Sequence, residues 1–191
     1  DGNNVFFDPN TKNKLSETAQ MFISGILSYA KEFCLITNPT VNSYKRLVPG
    51  YEAPCYISWS EANRSTMIRI PASRGKSTRV EVRSVDPTAN PYLAMAVILA
   101  AGLEGIKQKL DVKPVEKNLF SLDEAQRELL GVSNLPSNLY DAVHEFSGST
   151  FMRSVIGAHL SDKLIEAKKK EWDSYRISVS QWEIKQYLGK Y

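Results

Sequence analysis

The sequence predicts an α+β protein, a short antiparallel sheet packed by helices and followed by an all-helical carboxy-terminal tail. Three observations carry that prediction. Residues 19–34 set apolar side chains at helical spacing. Residues 56–83 hold three short runs rich in β-branched and aromatic types, separated by turn-like segments. Beyond Leu110 the pattern returns to a helical period and stays there.

The elements follow in order. The opening Asp1-Gly2-Asn3-Asn4 is a turn sequence with no initiator methionine, as a fragment or processed product would have. Ser16 is placed to cap a helix whose stripe is Ala19, Phe22, Ile23, Ile26, Leu27, Ala30, Phe33 and Cys34. The stripe stops at Thr37-Asn38-Pro39, and from there to Gly50 the turn residues read as loop. Tyr56-Ile57-Ser58-Trp59, residues 66–70 and residues 79–83 then read as an antiparallel meander. Asp86-Pro87 ends it. Asn90-Pro91 is an N-cap and first-turn pair for a helix reaching about Lys109. Its apolar run, residues 92–103, is too short to span a membrane and reads as a buried helix.

Ser121-x-x-Glu124 and Ser180-x-x-Glu183 are capping-box patterns. Between them Leu160, Leu164, Ala167 and Trp172 line one face of a long charged helix, with Lys168-Lys169-Lys170 as a solvated face. Repeats and low-complexity segments are absent. Residues 1–110 thus form the α+β part, and residues 111–191 a helical region of the same domain.

Composition narrows the function. With 191 residues, 42% of them hydrophobic and 24% charged, the chain can bury a core and is not disordered. A net charge of +3 gives no case for direct nucleic-acid binding. Cys34 and Cys55 lack metal or redox spacing and fit a reducing cytoplasm as buried small hydrophobes.

Charge is concentrated. Between positions 45 and 83 lie Lys45, Arg46, Arg64, Arg69, Arg74, Lys76, Arg79 and Arg83 against Glu52, Glu61 and Glu81, a net +5. Guanidinium forks match carboxylate and phosphate oxygens two at a time, so such a cluster suits several anionic groups. A basic surface patch is the plainer alternative. Strand alternation puts Arg79, Glu81 and Arg83 on one face and Val80 and Val82 on the other. Glu81 among arginines is a candidate oxygen ligand for Mg²⁺ or Mn²⁺, provided further carboxylates come from elsewhere. The proline-stiffened loop over residues 38–54 carries Arg46, Tyr51 and Glu52 beside it.

These same residues carry a resemblance. The stretch Asn38-Pro39-Thr40-Val41-Asn42-Ser43-Tyr44-Lys45-Arg46-Leu47-Val48-Pro49-Gly50-Tyr51-Glu52-Ala53-Pro54 resembles the glutamate-binding flap region of bacterial type I glutamine synthetases. Asn63-Arg64-Ser65 through Arg69-Ile70-Pro71 resembles their ATP-site signature. Val80-Glu81-Val82-Arg83 and Asp86-Pro87-Thr88-Ala89-Asn90-Pro91 resemble the strand and helix that follow. The likeness continues to Trp172-Asp173 and Trp182-Glu183 in the tail. The chain therefore looks like the carboxy-terminal part of that family's catalytic domain.

The resemblance implies ATP-dependent ligation of ammonia to L-glutamate through γ-glutamyl phosphate. It implies that Arg46 grips the glutamate carboxylate, and that Glu52 closes over the site and helps deprotonate ammonium. Arg64 and Arg69 hold ATP phosphates, with Arg64 also near glutamate, and Lys76 contacts the nucleotide. Glu81 binds the metal, and Arg83 stabilises the transferring phosphoryl group and the acyl phosphate. The cofactor implied is Mg²⁺ or Mn²⁺, with ATP, L-glutamate and ammonium as substrates. A cytoplasmic dodecamer of two hexameric rings follows from the same likeness.

Most metal-binding glutamates of the family lie outside this stretch, so the 191 residues alone are expected to be inactive. Lys117-Asn118-Leu119-Phe120 stands where some members carry an adenylylated tyrosine, which points to the low-GC Gram-positive subgroup. There, glutamine feedback and a nitrogen-regulatory repressor take over control. Trp182, Ile184, Tyr187, Leu188 and Tyr191 give the last helix an apolar surface suited to subunit contact. The alternatives are a ligase joining glutamate to another amine, and a non-catalytic module for oligomerisation or regulator binding.

Overall fold

The computed structural model describes residues 2–51 and 53–190. Asp1, Glu52 and Tyr191 lie outside the described residues, so the flap carboxylate and the ends of the opening turn and the apolar tail are not described.

The α+β class holds, with helices dominating. The first predicted helix is two. In α1 (Glu17–Ser28), Ser16 Oγ accepts from Ala19 N at 3.1 Å. Tyr29, at φ −104° and ψ 9°, interrupts the ladder before α2 (Ala30–Thr37). Its ring lies 4.3 Å from that of Phe151, on α7 (Thr150–Ile156), which fixes the break. The stripe therefore serves two partners. α1 crosses α4 (Pro91–Gln108), while α2 packs on α6 (Leu139–Gly148).

The α1–α4 crossing explains the glycines. A Cβ on Gly25 would sit 2.2 Å from Ala101 O and 2.7 Å from Gly105 Cα. Glycine within a helix costs about 1 kcal/mol relative to alanine, offset here by backbone-to-backbone contact that no larger residue permits. Asn90 caps α4 through Tyr92 N and Leu93 N, with Pro91 in the first turn, as the sequence predicted. The reading of this helix as buried needs correction. Ala94, Val97 and Ala101 are buried, but Tyr92, Met95, Leu99 and Leu103 stand exposed on the other side. A stretch apolar all round cannot show by its pattern which face a partner covers.

The supposed loop over residues 39–50 contains a helix, α3 (Val41–Arg46). Thr40 and Ser43 close a reciprocal capping box, Ser43 N to Thr40 Oγ1 at 3.2 Å and Thr40 N to Ser43 Oγ at 3.1 Å.

The sheet is mixed rather than wholly antiparallel, in the order β3 (Glu81–Val82), β2 (Thr66–Arg69), β1 (Tyr56–Ser60), β4 (Ser133–Asn134). The outer pairs are antiparallel, and β1 and β2 run parallel, Tyr56 opposite Thr66 and Ser60 opposite Arg69. Parallel neighbours usually need a long crossover. Here a short link climbs back along the strand, held by side chains that replace ladder bonds. Ser60 Oγ accepts from Asn63 N at 2.7 Å and Ala62 N at 3.1 Å. Asn63 Oδ1 accepts from Ser65 N at 2.9 Å, and Thr66 Oγ1 donates to Asn63 O at 3.0 Å. β3 is shorter than the predicted 79–83 run. β4 comes from the part read as all-helical, and Leu135 N donates to Cys55 O at 2.8 Å beside it.

The capping box predicted at Ser121 and Glu124 moves by two residues. Asp123 and Gln126 cap α5 (Glu124–Leu129), whereas Ser121 lies in a preceding 3-10 turn. Ser180 and Glu183 do form the box of α9 (Gln181–Tyr187). On α8 (Ala158–Arg176), Leu164 and Trp172 pack against the core. Lys168 is not on a solvated face. It pairs with Glu171 at 2.7 Å with only 17% of its side chain exposed. Trp182 and Leu188 remain exposed around α9. The core gathers Trp59, Phe33, Ile26, Met67, Ile68 and Leu119, all fully buried. Both cysteines are buried, and burial pushes the Cys34 thiol up to about 12, which keeps it protonated and inert at neutral pH.

Candidate functional site

The charged face of the sheet forms around β2 and β3. Arg69, opposite Glu81 in register, donates from its terminal nitrogen to Glu81 Oε2 at 2.6 Å and from Nε to the same oxygen at 3.0 Å. Arg79 reaches the other oxygen, Oε1, at 3.0 Å. Hydrogen bonding from Arg69 foremost holds the Glu81 carboxyl below its usual range despite some desolvation, so it stays ionised.

Next to this trio a cavity of about 370 Å³ is lined by Tyr51, Arg64, Arg69, Arg83 and Phe120. Arg83 donates to Arg64 O and, at 3.3 Å, to Thr66 O. Its burial, then the positive charges of Arg69 and Arg64, push its guanidinium pKa down, with Glu81 pulling the other way. The group remains charged all the same. Three guanidinium groups around one cavity repel one another, and an anion there removes that penalty. Arg64 is exposed, and among the described residues its guanidinium makes no hydrogen bond or ion pair.

Phe120 reaches this cavity because residues 115–119 are laced to the β1–β2 link. Ser60 Oγ donates to Glu116 Oε2 at 3.0 Å, Asn63 Nδ2 donates to Val115 O at 3.3 Å and to Lys117 O, and Leu119 N donates to Ser65 Oγ at 3.0 Å. The Phe120 ring then rests 5.8 Å from Tyr56.

Not every predicted site residue gathers here. Arg46, at the end of α3, spends its guanidinium on backbone, donating to Val85 O at 3.0 Å, Ser84 O at 3.1 Å and Arg83 O at 3.4 Å. Lys76 sits exposed on the 3-10 turn Gly75–Ser77, whose backbone is tied to Asn4, and does not line the arginine cavity. Glu52 lies outside the described residues. Sequence reasoning passed over Phe120 and Tyr51 as cavity walls. It also passed over Arg79 as a partner of Glu81, although alternation had set the two on one face.

The donor set does not by itself fit a divalent cation. Glu81 offers one carboxylate with both oxygens already engaged, and among the described residues no group of three His, Cys, Asp or Glu side chains is placed to hold a metal.

On the far side of β3, Val80 and Val82 line a different space. With Phe6, Phe22, Met95 and Leu99 they enclose an apolar groove of about 580 Å³.

The fold and site define a mixed α+β domain segment in which arginines from one sheet surround a cavity suited to anionic oxygens. The family profile described as glutamine synthetase, catalytic domain, matches residues 1–187. The chain belongs to that family. It is 53% identical to a glutamine synthetase of Staphylococcus aureus over 189 residues, 98% of this chain and 42% of the relative. A glutamine synthetase of Methanosarcina mazei is 52% identical over 190 residues, 99% of this chain and 42% of the relative. Among solved structures, a GmaS–ADP complex superposes with a TM-score of 0.83 at 33% identity, over 97% of this chain and 42% of that one. Ligand-free GmaS gives 0.79 at 34% identity, over 97% and 41%. The chain thus spans less than half the length of these relatives.

Proposed function

We propose that this chain is the anion-clamping part of a glutamine synthetase, an enzyme that ligates ammonia to L-glutamate at the expense of ATP. The observation that carries the reading is the cavity ringed by Arg64, Arg69 and Arg83 in a chain of this family. Phosphoryl transfer needs little covalent help from protein. It needs positioning and neutralisation of charge, which fixed guanidinium groups supply.

In this reading Arg64 and Arg69 hold phosphate oxygens, and Arg83, already partly desolvated, faces the transferring phosphoryl group. Arg46 binds the glutamate carboxylate with the guanidinium donors it does not spend on the carbonyls of residues 83–85. Glu52, from the flap, shields the acyl phosphate and takes a proton from ammonium. Lys76 reaches nucleotide only if its turn approaches the cavity. A divalent cation, Mg²⁺ or Mn²⁺, would lower the charge of the phosphates. Glu81 would join its ligands when other carboxylates are brought alongside and an arginine yields an oxygen. Residues 1–110 and 111–191 act as one catalytic unit in a cytoplasmic assembly, a dodecamer of two hexameric rings in the fullest form. Phe120 offers no hydroxyl for adenylylation, which leaves glutamine feedback and a nitrogen-regulatory repressor as controls. A second reading, a docking module, is favoured by the exposed Trp182 and Leu188 around α9.

Calorimetry with inorganic pyrophosphate, together with a biosynthetic assay, tests the first reading on the 191-residue chain. Salt-sensitive binding without turnover is expected. Turnover by these residues alone would overturn the division of labour, and absence of binding would overturn the clamp.

A further inference from the structure

The helix α3 is short, and nothing in six residues makes it stable alone. It is held at both ends. At its start the capping box satisfies Ser43 N and Thr40 N, which leaves Val41 N as an orphan donor of the first turn. That N–H donates to Glu171 Oε1 on α8 at 3.3 Å. The other carboxylate oxygen of Glu171 is held by Lys168 at 2.7 Å, in a pair with 17% and 33% of its side chains exposed. A turn further along, Lys45 Nζ lies 5.3 Å from the centre of the Tyr175 ring, again on α8. At the far end of α3, Arg46 grips the carbonyls of residues 83, 84 and 85. That backbone carries Arg83, whose own N–H donates to Met67 O at 2.9 Å, and runs directly into Asp86, whose N–H donates to Thr37 O at 2.9 Å.

A chain of named contacts therefore runs from the tail helix to the arginine cavity, with α3 as its middle link. We propose that Glu171 is a positioning residue for the arginine cavity. It fixes the start of α3 so that Arg46 keeps residues 83–85, and with them the Arg83 guanidinium, in register with Arg64 and Arg69. Glu171 touches no ligand. It acts through α3, and the proposal rests on the anion-clamp reading only in what the cavity binds.

Electrostatics and positioning predict opposite signs, which makes the test sharp. Removing a negative charge from a protein strengthens its attraction for an anion, whereas releasing α3 weakens a site built on Arg83. In the 191-residue chain, Glu171→Ala should weaken pyrophosphate binding about fivefold, the scale of losing one helix-start acceptor. Glu171→Gln loses the same charge but keeps an oxygen for Val41 N, and should bind at least as tightly as the parent. Hydrogen exchange reads the same coupling without a ligand. Glu171→Ala should speed exchange of the Arg83 and Asp86 amides while the centres of α1 and α4 keep their protection.

Parental exchange at those amides in the alanine variant would overturn the proposal, as would acceleration spread evenly over the chain. If the parent fails to bind pyrophosphate, the clamp reading falls, and the exchange experiment still decides the role of Glu171.

Discussion

One strand has two faces with opposite chemistry. On one side of β3, Glu81 is held by Arg69 and Arg79 beside a cavity walled by three arginines. On the other, Val80 and Val82 look into an apolar groove shared with α1 and α4. Alternation along a few residues suffices to make both. The faces differ in what holds them together. The charged face is a set of directional contacts whose worth depends on solvent and on a bound anion. The apolar face depends on close packing, above all where α1 meets α4 through Gly25 and Gly105. The groove side should therefore set stability, and the cavity side should set binding.

Breaking the packing gives the largest expected effect. In Gly105→Leu the new Cβ alone would lie 2.3 Å from Met21 O and 2.5 Å from Gly25 Cα, so the helices must separate. Overpacking of this kind costs about 3 kcal/mol or more when backbone must move. Urea denaturation should show an unfolding free energy lowered by that amount, or no folded baseline. Near-parental stability would mean the crossing is loose and that the two faces do not divide the work as described.

The same contrast marks what could be read from the sequence. The arginine cluster, the Ser16 and Asn90 caps and the valine–charge alternation were legible because each is local, carried by neighbours in the chain. The parallel pairing of β1 with β2 was not. It depends on Ser60, Asn63 and Thr66 side chains bonding to backbone within a tight link, which a hydrophobic pattern does not encode. Nor could the pattern of α4 separate its buried face from its exposed one, because Met95 and Leu99 are as apolar as Val97. The Thr40-x-x-Ser43 box was readable and was hidden by the prolines around it. Phe120 was read for the hydroxyl it lacks, whereas its place on the cavity wall arises from lacing between segments more than fifty residues apart.

On the cavity side, Arg64→Ala should separate binding from stability. The guanidinium has no hydrogen-bond or ion-pair partner among the described residues, so unfolding free energy should stay within about 0.5 kcal/mol of the parent. A charge-assisted contact to phosphate is worth about 1.5 kcal/mol or more, so pyrophosphate affinity should fall at least about tenfold. A stability loss matching the binding loss would show that Arg64 supports the fold, and would blur the distinction between the faces.

Glu81→Gln sharpens the comparison with the smallest change. The substitution removes the one negative charge between Arg69 and Arg79 while keeping the shape. Their mutual repulsion then rises, and the cavity beside them becomes more attractive to anions. At the high effective dielectric of a part-exposed pair this is worth about 1 kcal/mol, so pyrophosphate should bind about fivefold more tightly. Stability should move the other way, by a modest amount, since these pairs are substantially exposed. The pH dependence fixes the cause. Arg69 hydrogen bonding depresses the folded-state pKa of Glu81 below its ordinary 4.5. Its contribution is thus fully present above that value and is lost as the pH falls through the depressed one. Parent and variant should differ at neutral pH and converge in acid below about pH 4.5, as followed by denaturation at fixed ionic strength. A difference that persists into acid would trace the stability effect to shape or hydrogen bonding, and the charged face would then resemble the packed one more than its chemistry suggests.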